Sequence, residues 1–148
     1  MTQHTRNEFT THNGRVLSLE LARLLRDAGL RWRPASGDRF VIPDRDMDDE
    51  VFVLSDMTIE IHELPEGSVI GFNGTTQWAL DDVEKDEVIW LPREDQLRDL
   101  LGRAFHRLER QGETFVVVAS IEGIETLFGA SEPEEAYGRA LLALLRSL

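Results

Sequence analysis

Three aspartates alternate with other residues in the segment Asp44-Arg-Asp46-Met-Asp48-Asp49-Glu50. Carboxylates at the first, third and fifth places of a loop can converge on one hard cation, as they do in the EF-hand. Val51 also suits the apolar eighth place. Two departures weaken the match: Asp49 stands where a glycine should turn the loop, and Ser55 where a bidentate glutamate should close it. The segment has two readings, a calcium or magnesium site on Asp44, Asp46 and Asp48, or a solvated acidic loop.

A second acidic cluster, Asp81, Asp82, Glu84, Asp86 and Glu87, surrounds Lys85. Residues 1–43 carry a net charge of +3, residues 44–91 of −12, and residues 92–148 of −3. The middle third therefore matches the net charge of the whole chain, −12. A strongly negative field raises the local concentration of cationic partners. Asp44, Asp46, Asp48, Asp49, Glu50, Asp81 and Asp82, with Trp78 as an aromatic anchor, are the expected contacts to a basic partner protein. The run Gly71-Phe-Asn-Gly-Thr-Thr-Gln-Trp-Ala-Leu80 could hold a small ligand at residues 73–78, or could be a tight connection from strand to helix.

Other chemistry is excluded more firmly. The chain has no cysteine, which removes disulfides, thiolate metal sites and a cysteine nucleophile together. A Walker A loop needs Gly-Lys-Ser/Thr, and the single lysine, Lys85, lies between Glu84 and Asp86. The four histidines show no metal-binding spacing. No catalytic residue and no cofactor is expected. The acidity argues against a nucleic-acid partner, because affinity for a phosphate backbone rests on Lys and Arg. The N-terminus lacks an apolar signal region and no apolar run could span a bilayer, so a soluble cytoplasmic protein is expected without membrane insertion.

Several elements must position these residues. Residues 1–15 are polar and read as a flexible tail, and 16–148 as a single domain. Leu17, Leu21, Leu24, Leu25 and Ala28 repeat at helical spacing, and Gly29 stops them. Short strands are expected at Phe40–Ile42, Val51–Leu54, Met57–Ile61, Val69–Phe72, Val88–Leu91 and Phe115–Ala119, with a short helix at Gln77–Val83. Leu97, Leu100, Leu101, Ala104, Phe105 and Leu108 form a stripe that predicts one long central helix ended by Gly112. Residues 121–128 read as a short helix or turn. Ser131 is expected to cap the last helix, with Glu134 at the capping-box place and Pro133 in the first turn. Trp32, between Arg31 and Arg33, is either a lid over the core or a partner anchor, and Trp90 reads as core. The fold class is α+β: a mostly antiparallel sheet of five to six short strands with N-terminal, long central and C-terminal helices.

The segments Arg39-Phe-Val-Ile-Pro-Asp44, Gly71–Leu80, Val88-Ile-Trp-Leu-Pro-Arg-Glu-Asp-Gln-Leu97 and Glu134-Glu-Ala-Tyr-Gly-Arg-Ala-Leu-Leu142 together resemble small, mainly actinobacterial proteins of unknown function. Some of these carry the label pilus assembly protein CpaE. That label implies a ParA-like ATPase, from which this sequence departs at the missing Walker lysine. The resemblance then implies at most association with pilus or secretion machinery, and it carries no site residue across. The expectation is a non-catalytic interaction module, accessory or immunity-like, with a metal- or small-ligand-binding protein as the alternative.

Overall fold

The computed structural model describes residues 16–43, 51–54 and 88–148, and the backbone of 59–64 and 67–72. The chain is α+β. It divides into two compact units, one formed by the chain up to Arg31 together with the chain from Leu91, the other by Trp32–Trp90.

The first unit begins with helix α1, Leu19–Asp27. Its start and stop are both local. Ser18 is the N-cap and its hydroxyl accepts from the Leu21 N–H, satisfying a donor that has no partner inside the helix. At the far end Gly29 takes φ +113°, the Leu30 N–H reaches the Leu25 carbonyl and the Gly29 N–H that of Arg26, each at 3.0 Å. This is a Schellman close, which needs the glycine for its positive φ. The buried face carries Leu21, Ala22 and Leu25.

Helix α2, Glu94–Leu101, starts at Arg93, whose N–H donates to the Gln96 side chain at 2.8 Å. It buries Leu97 and Leu101. A single 3-10 turn, Gly102–Ala104, follows, and then a three-stranded antiparallel meander, β6 (Phe105–Gln111), β7 (Thr114–Ile121) and β8 (Ile124–Ala130), with β7 in the middle. Helix α3, Pro133–Arg146, packs on β7, β8, α1 and α2. The core joins Val116–Ala119 of β7 to Ala136, Tyr137, Ala140 and Leu141 of α3. Gly138 lets α3 pack tightly against α1 and the residues before it, since a Cβ there would stand 2.7 Å from a Leu21 methyl and 2.9 Å from a Leu17 methyl.

Three expectations are corrected in this unit. The helical stripe from Leu97 to Leu108 is not one helix, because the chain leaves the helix at Leu101 and becomes a strand at Phe105. Phe105 and Leu108 sit opposite Ala119 and Val117, with a register shift between Phe105 and Arg107. A bulge adds one residue and so puts residues three apart on one face of a strand. That spacing is the one that reads as a helix. Residues 121–128 form neither helix nor lone turn. Glu122 and Gly123, at φ +53° and +80°, are the two-residue loop of the β7–β8 hairpin. Nor does Ser131 cap the last helix: the N-cap is Glu132, with no side-chain cap, and Pro133 opens the first turn.

In the second unit β1 (Arg39–Val41) pairs antiparallel with β2 (Phe52–Val53), and β5 (Ile89–Leu91) lies on the other side of β1. Strands β3 (Ile59–Leu64) and β4 (Gly67–Phe72) form an antiparallel hairpin of six paired positions, with Ile59 and Ile61 opposite Phe72 and Ile70. The core is Trp32, Phe40, Ile42, Leu54 and Val88, with Phe52 and Trp90 packed against it. The expected tail 1–15 and the helix Gln77–Val83 lie outside the described residues.

Candidate functional site

Asp38, 2% exposed, is the most deeply buried charged side chain among the described residues of the second unit. One carboxylate oxygen accepts from the Trp32 indole N–H at 2.8 Å and from the Ala35 N–H at 3.0 Å. Its own carbonyl accepts from the Leu54 N–H, which ties the loop to the residue following β2. A buried carboxylate costs several kcal/mol unless hydrogen bonds replace its water, about what this clamp must offset. Trp32 is thus part of the core rather than an exposed anchor. Its ring lies 5.4 Å from Phe40 and 6.5 Å from Trp90 between centroids, and Phe40 continues the stack to Phe52 at 5.4 Å. The sequence does contain a signal for this arrangement, an Asp three residues beyond Ala35 that can bond backward to its N–H. The indole partner is set by folding.

In the first unit the face of the meander that carries Arg107 holds a charge network. The Arg107 guanidinium bonds the Glu109 carboxylate and reaches Glu125 at 3.4 Å, while the Gln111 amide donates to Glu109 at 3.2 Å. The hydrogen bond from Arg107, then that from Gln111, holds the Glu109 carboxyl below its ordinary range. Glu109 in return raises the Arg107 guanidinium. His106 Nε2 lies 2.7 Å from Ser120 Oγ. Among the described residues no carboxylate bonds the other ring nitrogen of His106.

Two further carboxylates sit at the start of α3. Glu135 accepts from the Ser18 N–H at 2.6 Å and from the Ser18 hydroxyl at 3.2 Å. Negative charge at a helix N-terminus is favourable, and here one carboxylate serves the first turns of both α3 and α1. Glu134 is buried in the same turn, 3% exposed. Tyr137 packs its ring 5.5 Å from that of Phe105. Burial first, then the Glu94 charge, pushes its phenol above the ordinary value, against a smaller opposing effect of Arg98.

Asp44, Asp46, Asp48, Asp49, Glu50, Trp78, Asp81 and Asp82 all lie outside the described residues. Among the described residues no group of three or more histidines and acids could hold a metal ion, and no helix is long and apolar enough to cross a membrane. The chain matches no family model, no curated protein and no solved structure.

Proposed function

We propose that this protein is a non-catalytic interaction module that meets a basic protein partner through the acidic stretch 44–91. One observation carries the reading: that stretch bears a net charge of −12 while the flanking segments nearly cancel. Electrostatic complementarity of this sort mainly sets association rate and partner choice, and it weakens with salt.

Capture of partners from lysate at low and high salt tests the reading. A partner should be retained at low salt, released at high salt, and lost when Asp44, Asp46, Asp48 and Asp49 are changed together to Asn. A partner indifferent to those four changes overturns it. The alternating aspartates favour one second reading, a divalent-cation site on Asp44, Asp46 and Asp48. Calcium, magnesium or manganese at millimolar concentration should then raise the melting temperature, since a ligand selective for the native state must stabilise it. Small-ligand binding at residues 73–78 would raise it without metal.

A further inference from the structure

Among the described strands, β6 and β8 are the edges of the β6–β7–β8 meander. A sheet edge is a row of unpaired N–H and C=O groups on which another strand can form. Strand β6 blunts its row from within, by the register shift between Phe105 and Arg107 and by the charge of Arg107 and Arg110. Strand β8 has no register shift against β7, and its Ile124 and Leu127 are 68% and 59% exposed. Its protection has to come from outside the strand.

The register says which groups face outward. The loop Glu122-Gly123 makes Ile121 and Ile124 a hydrogen-bonded pair, and Ala119 with Thr126 and Val117 with Phe128 follow in alternation. The N–H and C=O groups of Glu125, Leu127 and Gly129 therefore point away from β7, three rungs for an added strand. The third rung is occupied. The exposed Arg139 side chain reaches from α3 and its guanidinium donates to the Gly129 carbonyl at 2.6 Å. The N–H of an added strand would have to stand about 2.9 Å from the same oxygen. The guanidinium thus sits where the incoming backbone would lie. Glu125 does not offset its charge, because that carboxylate reaches Arg107 on the face of the sheet away from Phe105 and Tyr137 of α3. Two rungs remain, Glu125 and Leu127. Even an isolated hairpin is marginal in water, so two rungs alone do not hold a strand.

We propose that Arg139 guards the β8 edge: its guanidinium, held on the Gly129 carbonyl, keeps the meander at three strands and keeps copies of this chain from pairing through β8. The contact is made across the helix–sheet packing rather than along the strand, so it is present only when α3 is docked on the meander. The guard therefore closes the edge at the same step that completes the fold, which is when an exposed apolar edge would otherwise begin to recruit other chains.

Removing the guard tests this. The full wild-type chain should show no association through β8 in sedimentation up to about 100 µM, and Arg139→Met should associate at least about tenfold more tightly. Leu127→Lys added to Arg139→Met should reverse that association, because it puts a charge back on the edge. Arg139→Lys, which keeps a charged donor, should behave as the wild type. The melting temperature of Arg139→Met, followed by circular dichroism at low concentration, should stay within about 3 °C of the wild type, as for an exposed substitution. An Arg139→Met chain that associates no more than the wild type overturns the proposal. So does association that Leu127→Lys leaves in place, a wild-type chain that already pairs through β8, or an Arg139→Met chain that no longer folds, which would make Arg139 a folding residue rather than a guard.

Discussion

The two units hold together by different means. In the Trp32–Trp90 unit β1 and β2 share only two paired positions, and the core of Trp32, Phe40, Ile42, Leu54 and Val88 includes a chain of ring contacts from Phe52 through Phe40 and Trp32 to Trp90, with one buried carboxylate holding Trp32. The other unit has a long antiparallel ladder, an aliphatic core and three helices, with a single tyrosine at its centre. Between β1 and β2 the few backbone bonds put the burden of specificity on side-chain geometry. Aromatic pairs add about 0.5–1.5 kcal/mol each beyond their burial, and they tolerate few orientations. A long ladder spreads the burden over many small contributions.

The distribution of chromophores makes this contrast measurable. All three tryptophans, Trp32, Trp78 and Trp90, fall in one unit and the only tyrosine, Tyr137, in the other. The largest effect is expected from Tyr137→Ala, which removes a fully buried ring between β6 and α3. It should cost about 4 kcal/mol, read from the unfolding midpoint by circular dichroism. A loss below about 1 kcal/mol would mean that the ladder carries this unit without its tyrosine.

Asp38→Ala should come next, at about 3 kcal/mol, because it leaves the Trp32 indole N–H and the Ala35 N–H buried without their acceptor. Tryptophan fluorescence should report the loss first. If the circular-dichroism midpoint moves equally, the two units unfold together, and the contrast concerns composition rather than stability.

Glu122→Asn has the opposite sign. Glu122 sits at φ +53°, a left-handed conformation that costs a side-chain-bearing residue about 1 kcal/mol and suits asparagine better. Stabilisation of the ladder unit by about 1 kcal/mol is expected, and a loss would show that the Glu122 side chain has a role of its own.

The smallest effect concerns alkaline pH. Tyr137 has a folded pKa above its ordinary value of 10.0, so folded and unfolded states bind its proton equally below pH 10. Above that pH the unfolded state releases the proton first, so the contribution falls as pH rises through the folded value. Tyr137→Phe should flatten this alkaline decline. An unchanged profile would assign the decline to arginine or backbone chemistry instead.

How much of this was legible in advance follows from the range of the interactions. The first helix could be read from its apolar stripe and from Gly29, which acts on groups within four residues of itself, whereas its Ser18 cap shows only in the structure. The strands at 40, 52, 89 and 115 could be read from short apolar runs, two of them stopped by Pro43 and Pro92. The central helix was overextended because the β6 bulge sets Phe105 and Leu108 at a spacing of three, and only pairing with β7 decides between strand and helix. The β8 strand was missed because its hairpin turns on Glu-Gly rather than the usual Asn-Gly.

The candidate sites divide in the same way. The acidic concentration in residues 44–91 is a property of composition and stands in the sequence alone, as do the absence of cysteine and of a Walker lysine. Three things required the tertiary structure: that Trp32 is core, that Asp38 is its buried partner, and that Phe105–Gln111 is a strand paired with β7. Local propensity and charge act over a few residues, so sequence can reveal them. Burial, strand order and outward-facing backbone depend on which distant segments meet, and one chain read in order does not contain that information.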